Sequence, residues 1–154
     1  MCCFVKPGEV LLAWTDDEND PQYARSRAAF DLLSHTVDAK GRSFVIHKLP
    51  IPKHPICYYR RRFFSAYVFL KLAKTSGKPG NALPPAISIF YLANHCVLLP
   101  RFGDENDTVA AEILGKCFPD RRILPVDARV ILTGGGNIHC ITQQIPAKKR
   151  GNRL

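Results

Sequence analysis

The apolar positions of this chain alternate between short unbroken runs and longer stretches in which they recur every third or fourth residue. Glu9-Val10-Leu11-Leu12-Ala13-Trp14 follows the Pro7-Gly8 turn and is nearly continuous, as in a strand buried on both faces. Asp16-Asp17-Glu18-Asn19-Asp20-Pro21 then supplies the chemistry of a helix start. A short Asp or Asn can cap free N–H groups, acidic side chains suit the positive end, and Pro fits the first turn. Tyr23, Ala29, Phe30, Leu33 and Val37 recur near helical spacing and predict a helix over about Pro21 to Val37. Asp38-Ala39-Lys40-Gly41 ends it, and Ser43 to Leu49 predicts the next strand, stopped by Pro50, Pro52 and Pro55.

The same plan returns further along. Val97-Leu98-Leu99 repeats Val10-Leu11-Leu12, and Asp104-Glu105-Asn106-Asp107 repeats Asp17-Glu18-Asn19-Asp20, both 87 residues later. A helix over about Asp107 to Phe118 follows, with Val109, Ile113, Leu114 and Cys117 on one face, and then a strand over Arg122 to Val126. Strand, acidic turn, helix and strand therefore occur twice, an internally repeated α/β architecture. Each acidic quartet directly precedes a helix, so capping explains it and no metal is assigned.

The third feature is Gly134-Gly135-Gly136-Asn137-Ile138-His139-Cys140-Ile141-Thr142-Gln143-Gln144. Three glycines without Cβ atoms let other groups approach closely. The β-branched Ile138 and Ile141 flanking Cys140 predict a short strand that presents the thiol. A cysteine so placed is a candidate nucleophile. The residues alone leave a second reading open, in which Cys140 is an inert, small core residue. Neighbouring strand residues face opposite ways, so His139 would point away from Cys140 and act in packing. His35 falls on a helix and His47 on an outer strand, where a structural role is expected.

Composition bounds what such a site can serve. The chain has 154 residues, 46% hydrophobic and 23% charged, within the range of a globular protein. No apolar run approaches the ~20 residues that span a bilayer, and Met1 to Val5 is not a secretory signal. The six cysteines at 2, 3, 57, 96, 117 and 140 show no framework spacing, so reduced thiols in the cytoplasm are expected. Zinc binding by Cys57, His95 and Cys96 lacks a Cys-x-x-Cys pair. The net charge of +9 points toward nucleic acid, but its distribution does not. Residues 1–55 carry seven basic and seven acidic residues, residues 101–147 five and six; the excess lies in residues 56–100 and the tail from Lys148.

The run Gly134 to Gln144 resembles the C-terminal signature of the agmatine deiminases, of the Porphyromonas-type peptidyl-arginine deiminase family and pentein superfamily. The resemblance implies that Cys140 is the nucleophile and that Gly134, Gly135 and Gly136 form a substrate-side loop. It implies hydrolysis of agmatine to N-carbamoylputrescine and ammonia through a thiouronium on the cysteine, with no cofactor. It implies an α/β propeller of ββαβ modules. This chain would hold about two of them plus the strand bearing Cys140, a partial propeller.

Residues 1–53 and 90–146 follow the family pattern, within a domain spanning 1–146 and ahead of a basic tail at 147–154. The segment from about 54 to 89 departs from it. Tyr58-Tyr59-Arg60-Arg61-Arg62-Phe63-Phe64 stands where the family has an acidic segment, and Pro84 to Tyr91 where it has Ala-Ser-Tyr-x-Asn-Phe-Tyr. Translation in a shifted frame accounts for both departures, and the nucleotide sequence checks it. The basic-aromatic cluster also fits a nucleic-acid-binding protein, and a non-enzymatic remnant or interaction module is a further alternative; neither nucleic acid nor a membrane is the expected partner. The family's catalytic histidine and guanidinium-binding carboxylates would fall before Met1, and Asp16, Asp17 and Asp20 do not match them. Little or no activity of the isolated chain is therefore expected, with association through exposed strand edges.

Overall fold

The computed structural model describes residues 2–53, 90–134 and 136–145. The segment at 54–89, expected above to depart from the family pattern, the basic tail at 147–154, and Gly135 lie outside the described residues. Strand β1 (Cys2–Lys6) turns back through Pro7-Gly8 into β2 (Glu9–Trp14), the apolar run that the sequence marks as a strand. Gly8 has a φ of +81°, a conformation that a side chain would strain. Helix α1 (Pro21–Ser34) then crosses over to β3 (Val45–Pro50), which pairs parallel to β2, giving the order β1-β2-β3.

The second half repeats this wiring. β4 (Tyr91–Leu92) runs antiparallel to β5 (Cys96–Arg101), helix α2 (Asn106–Cys117) crosses over, and β6 (Arg122–Asp127) pairs parallel to β5. The repeat holds down to single hydrogen bonds. Val45 N–H donates to Gly8 O at 2.9 Å, and Arg122 N–H to His95 O at 3.0 Å. Ile51 N–H donates to Trp14 O at 2.9 Å, and Ala128 N–H to Arg101 O at 3.0 Å. Asp17 and Asp104 each close the acidic turn by accepting from the N–H two residues on, both at 2.9 Å. The 87-residue spacing thus holds for β2 and β5 and for the acidic turns, while their parallel partners β3 and β6 lie 77 residues apart, the second crossover being ten residues shorter.

The acidic quartets differ in how they use their last carboxylate. Asp20 caps α1 by accepting from Gln22 N–H at 2.7 Å. Asp107, one residue inside α2, instead accepts from Phe102, Gly103 and Asp104 N–H and holds the preceding loop closed. Helix α1 stops at Ser34, three residues before the end that the periodicity predicts. Ser34 and Thr36 hydroxyls donate to the Phe30 and Leu32 carbonyls, so polar side chains satisfy the last turn and Val37 is left exposed.

Helix α1 packs on its own sheet. The buried Ser26 hydroxyl donates to Ala13 O at 2.8 Å, and the Trp14 and Phe30 rings meet edge-to-face at 5.6 Å. Lys48 Nζ lies 3.8 Å from the Trp14 ring centroid, a cation–π contact at the rim. Helix α2 does more, because it touches both β3 and β6. Ala110, Leu114 and Cys117 of α2 share one buried cluster with Leu11 and Leu49 of the first sheet and Val97 and Leu99 of the second. Asn106 Nδ2 reinforces the junction by donating to Ile51 O at 2.6 Å. The Lys53–Glu105 ion pair beside it, at 2.9 Å, is exposed and adds little.

Candidate active site

The two units also part after their parallel strand pairs, and the segment that departs in the second carries Cys140. In the first unit, the chain leaving β3 meets α2 through Asn106 and Ile51, and Leu11 is wholly buried in the shared cluster. Leu98, the residue equivalent to Leu11, remains half-buried. The chain leaving β6 instead folds into two short 3-10 turns, Ile131–Gly134 and Ile138–Ile141. Leu132 of the first turn joins the buried cluster, and the second lies against β5. The signature segment therefore follows the C-terminal end of β6 and packs back against β5.

An exposed ion pair, Asp127–Arg129, marks the end of β6. Arg129 donates from Nε to Asp127 Oδ1 at 2.9 Å and from its backbone N–H at 3.1 Å. The Arg129 side chain, and then its backbone N–H, pull the Asp127 carboxyl down to about 2. A carboxyl held below the unfolded value of about 4 stabilises the folded state above that value and loses the contribution as pH falls toward 2. Proton titration of the chain by NMR should find Asp127 still ionised at pH 3, and Arg129→Ala should return it to the ordinary carboxylate range.

Cys140 sits on the second 3-10 turn, where the flanking isoleucines predict a strand. The correction has a local cause. Asn137 is extended, caps the turn by accepting from Ile138 N–H on Oδ1 at 2.8 Å, and takes Cys140 N–H on its carbonyl at 2.8 Å. A turn does not alternate faces, so the argument that turned His139 away from Cys140 no longer applies. Both side chains are exposed, and the Thr142 hydroxyl and N–H close the turn onto His139 O. Ile138 is the buried anchor, and Asn137 is buried completely.

The thiols divide by environment. Burial pushes Cys3 up to about 11 and raises Cys117 as well, so both stay protonated at neutral pH. Cys140 is exposed, and no described side chain hydrogen-bonds its sulfur. It is not a sealed core residue. Of the three glycines, Gly134 ends the first turn and Gly136 is packed against Cys140 itself. A Cβ on Gly136 would lie 2.8 Å from Cys140 Cβ and 3.1 Å from its Sγ. Gly136→Ala should thus displace the nucleophile candidate, and a shift of about 1 Å is enough to lower turnover by about 100-fold. Turnover measured alongside the melting temperature separates that displacement from unfolding.

The other candidates are dispersed. His47 Nε2 pairs with Glu9 at 3.1 Å on the first sheet, and His35 Nδ1 meets Asp31 O at 2.7 Å on α1. Asp16, Asp17 and Asp20 line a cleft of about 290 Å³ at the ends of β2 and β3. Their oxygens accept from Trp14 Nε1, Asn19 N–H and Gln22 N–H, so these carboxylates organise their own loop. Among the described residues no group of three His, Cys, Asp or Glu is arranged to hold a metal, and no helix is long and apolar enough to cross a membrane. Cys57, part of the zinc alternative, lies outside the described residues.

Comparison with known proteins agrees with this fold. The model of the Porphyromonas-type peptidyl-arginine deiminase family matches residues 1–146. A protein of Selenomonas ruminantium is 52% identical over 147 residues, covering 96% of this chain and 39% of that one. The agmatine deiminase of Pseudomonas putida strain F1 is 47% identical over 146 residues, covering 95% of this chain and 39% of its own. The solved agmatine deiminase of Enterococcus faecalis superposes with a TM-score of 0.78 at 34% identity, over 96% of this chain and 40% of that one. The chain spans about 39% of the length of the curated relatives it matches. With the family's model covering nearly every residue and its fold superposing on both repeated units, the chain belongs to the Porphyromonas-type peptidyl-arginine deiminase family.

Proposed function

We infer that this chain supplies the nucleophile of an agmatine deiminase, and that Cys140 is that nucleophile. The observation that carries the reading is an exposed thiol on a capped turn that packs against β5. A guanidinium carbon is a weak electrophile, and carboxylates are needed to hold the cation while a thiolate attacks it. In the first step a C–S bond forms and a C–N bond breaks, and a general acid protonates the departing ammonia. Water then attacks the thiouronium carbon, the C–S bond breaks, and N-carbamoylputrescine leaves. The carbon keeps its oxidation state throughout, so the chemistry calls for no redox cofactor.

Within this reading the chain contributes one wall of the site, since no described carboxylate or histidine engages the Cys140 sulfur. Its free thiols suit a reducing compartment, and we place the reaction in the cytoplasm. The test mixes the chain with the part of the Pseudomonas putida relative that it does not cover, and assays agmatine for ammonia and N-carbamoylputrescine. Product in the mixture at levels above either part alone supports the reading; its absence from a mixture shown to associate refutes it.

A further inference from the structure

We propose that Asn137 is the positioning residue for Cys140, acting through the oxygen of its carboxamide. The inference rests on the reading of Cys140 as nucleophile and adds the residue that aims it. Asn137 makes two contacts that set the turn: Oδ1 accepts from Ile138 N–H, and the backbone carbonyl accepts from Cys140 N–H, each at 2.8 Å. The backbone contact belongs to any residue at this position, so the side chain is where identity matters. An N-terminal cap of this kind needs only an acceptor.

The carboxamide carries more than that acceptor. Its Nδ2 is buried and has no hydrogen-bond partner among the described residues. Burying an unspent donor is unfavourable, and Asn137 is nevertheless wholly buried. Its oxygen is thus held inside the protein, where a capping bond is stronger than on a wet surface. Gly136 makes the arrangement sensitive. Its bare backbone is packed against the thiol, a Cβ there falling 2.8 Å from Cys140 Cβ and 3.1 Å from Sγ, so a small change in the turn alters where the sulfur sits. Gly136 admits the close approach and Asn137 fixes the turn that makes it.

The experiment uses the full 154-residue chain and needs no turnover. Alkylation by iodoacetamide at pH 7 is followed at each cysteine by peptide mass mapping. Cys2, exposed on the first sheet, serves as the reference within the same molecule. Asn137→Ala should lower the Cys140-to-Cys2 rate ratio by about tenfold or more. Asn137→Ser keeps a capping oxygen and removes the unspent donor, and it should restore the ratio to near that of the parent chain. Should Asn137→Ala fail to fold, Asn137→Gly removes the same oxygen and makes the same comparison.

An unchanged or raised ratio in the oxygen-free variant, even with a lowered melting temperature, overturns the proposal and leaves Asn137 a merely structural residue. A serine variant as impaired as the alanine variant overturns it too, since the oxygen would not be the agent. The functional reading fails separately. Turnover in the two-part mixture that survives Cys140→Ser would remove Cys140 as nucleophile without altering any alkylation ratio.

Discussion

Replacing Cys140 by serine is expected to abolish agmatine turnover in the two-part mixture, with a loss of about a thousandfold or more in kcat. Serine keeps the shape and the hydrogen-bonding capacity of the turn, but its hydroxyl is scarcely ionised at neutral pH and attacks an amidinium carbon poorly. Binding should persist, because the turn is fixed by Asn137, Ile138 and Thr142 and not by the sulfur. KM should therefore change little while kcat collapses. Cys2→Ser is the control, exposed like Cys140 but carried on β1 of the first sheet, and it should leave the rate unchanged. Full activity in the Cys140→Ser mixture would remove the thiol from the mechanism.

Leu114→Ala should produce the largest loss of stability. Leu114 is wholly buried in the cluster that joins the two sheets, and truncating such a leucine costs about 2–5 kcal/mol through lost transfer energy and the cavity left behind. For a chain of this size that corresponds to a fall in melting temperature of about 4–20 °C. Leu32→Ala, made at a helix position 69% exposed, should shift stability by no more than about 0.5 kcal/mol. Comparable melting for the two variants would show that α2 does not hold the sheets together.

Much of the fold was legible in the order of apolar positions. The run Glu9 to Trp14 reads as a strand because its burial leaves almost no polar position, and the structure gives β2 those limits. The paired acidic turns announced the repeat because each has to satisfy the same free N–H groups before a helix. The site was legible only in part. Ile138 and Ile141 favour a strand by propensity, and that preference lost to a cap at Asn137, which bends the chain one residue earlier. An asparagine just ahead of the apolar pair was the available signal, and the glycine run beside it drew attention away. The helix ends escaped for a related reason, since Ser34 and Thr36 bond to carbonyls that periodicity does not register.

Helix α2 has one further consequence. Its register in the sequence assigns it to the second repeat, yet Leu114 and its neighbours close the interior of the first. The period of the chain and the unit that melts cooperatively are consequently different objects. A cut at the border between the repeats would pass through the middle of the oil drop, and each half would leave with an open face. Any attempt to graft, shuffle or duplicate this module should carry α2 along with the sheet that comes before it.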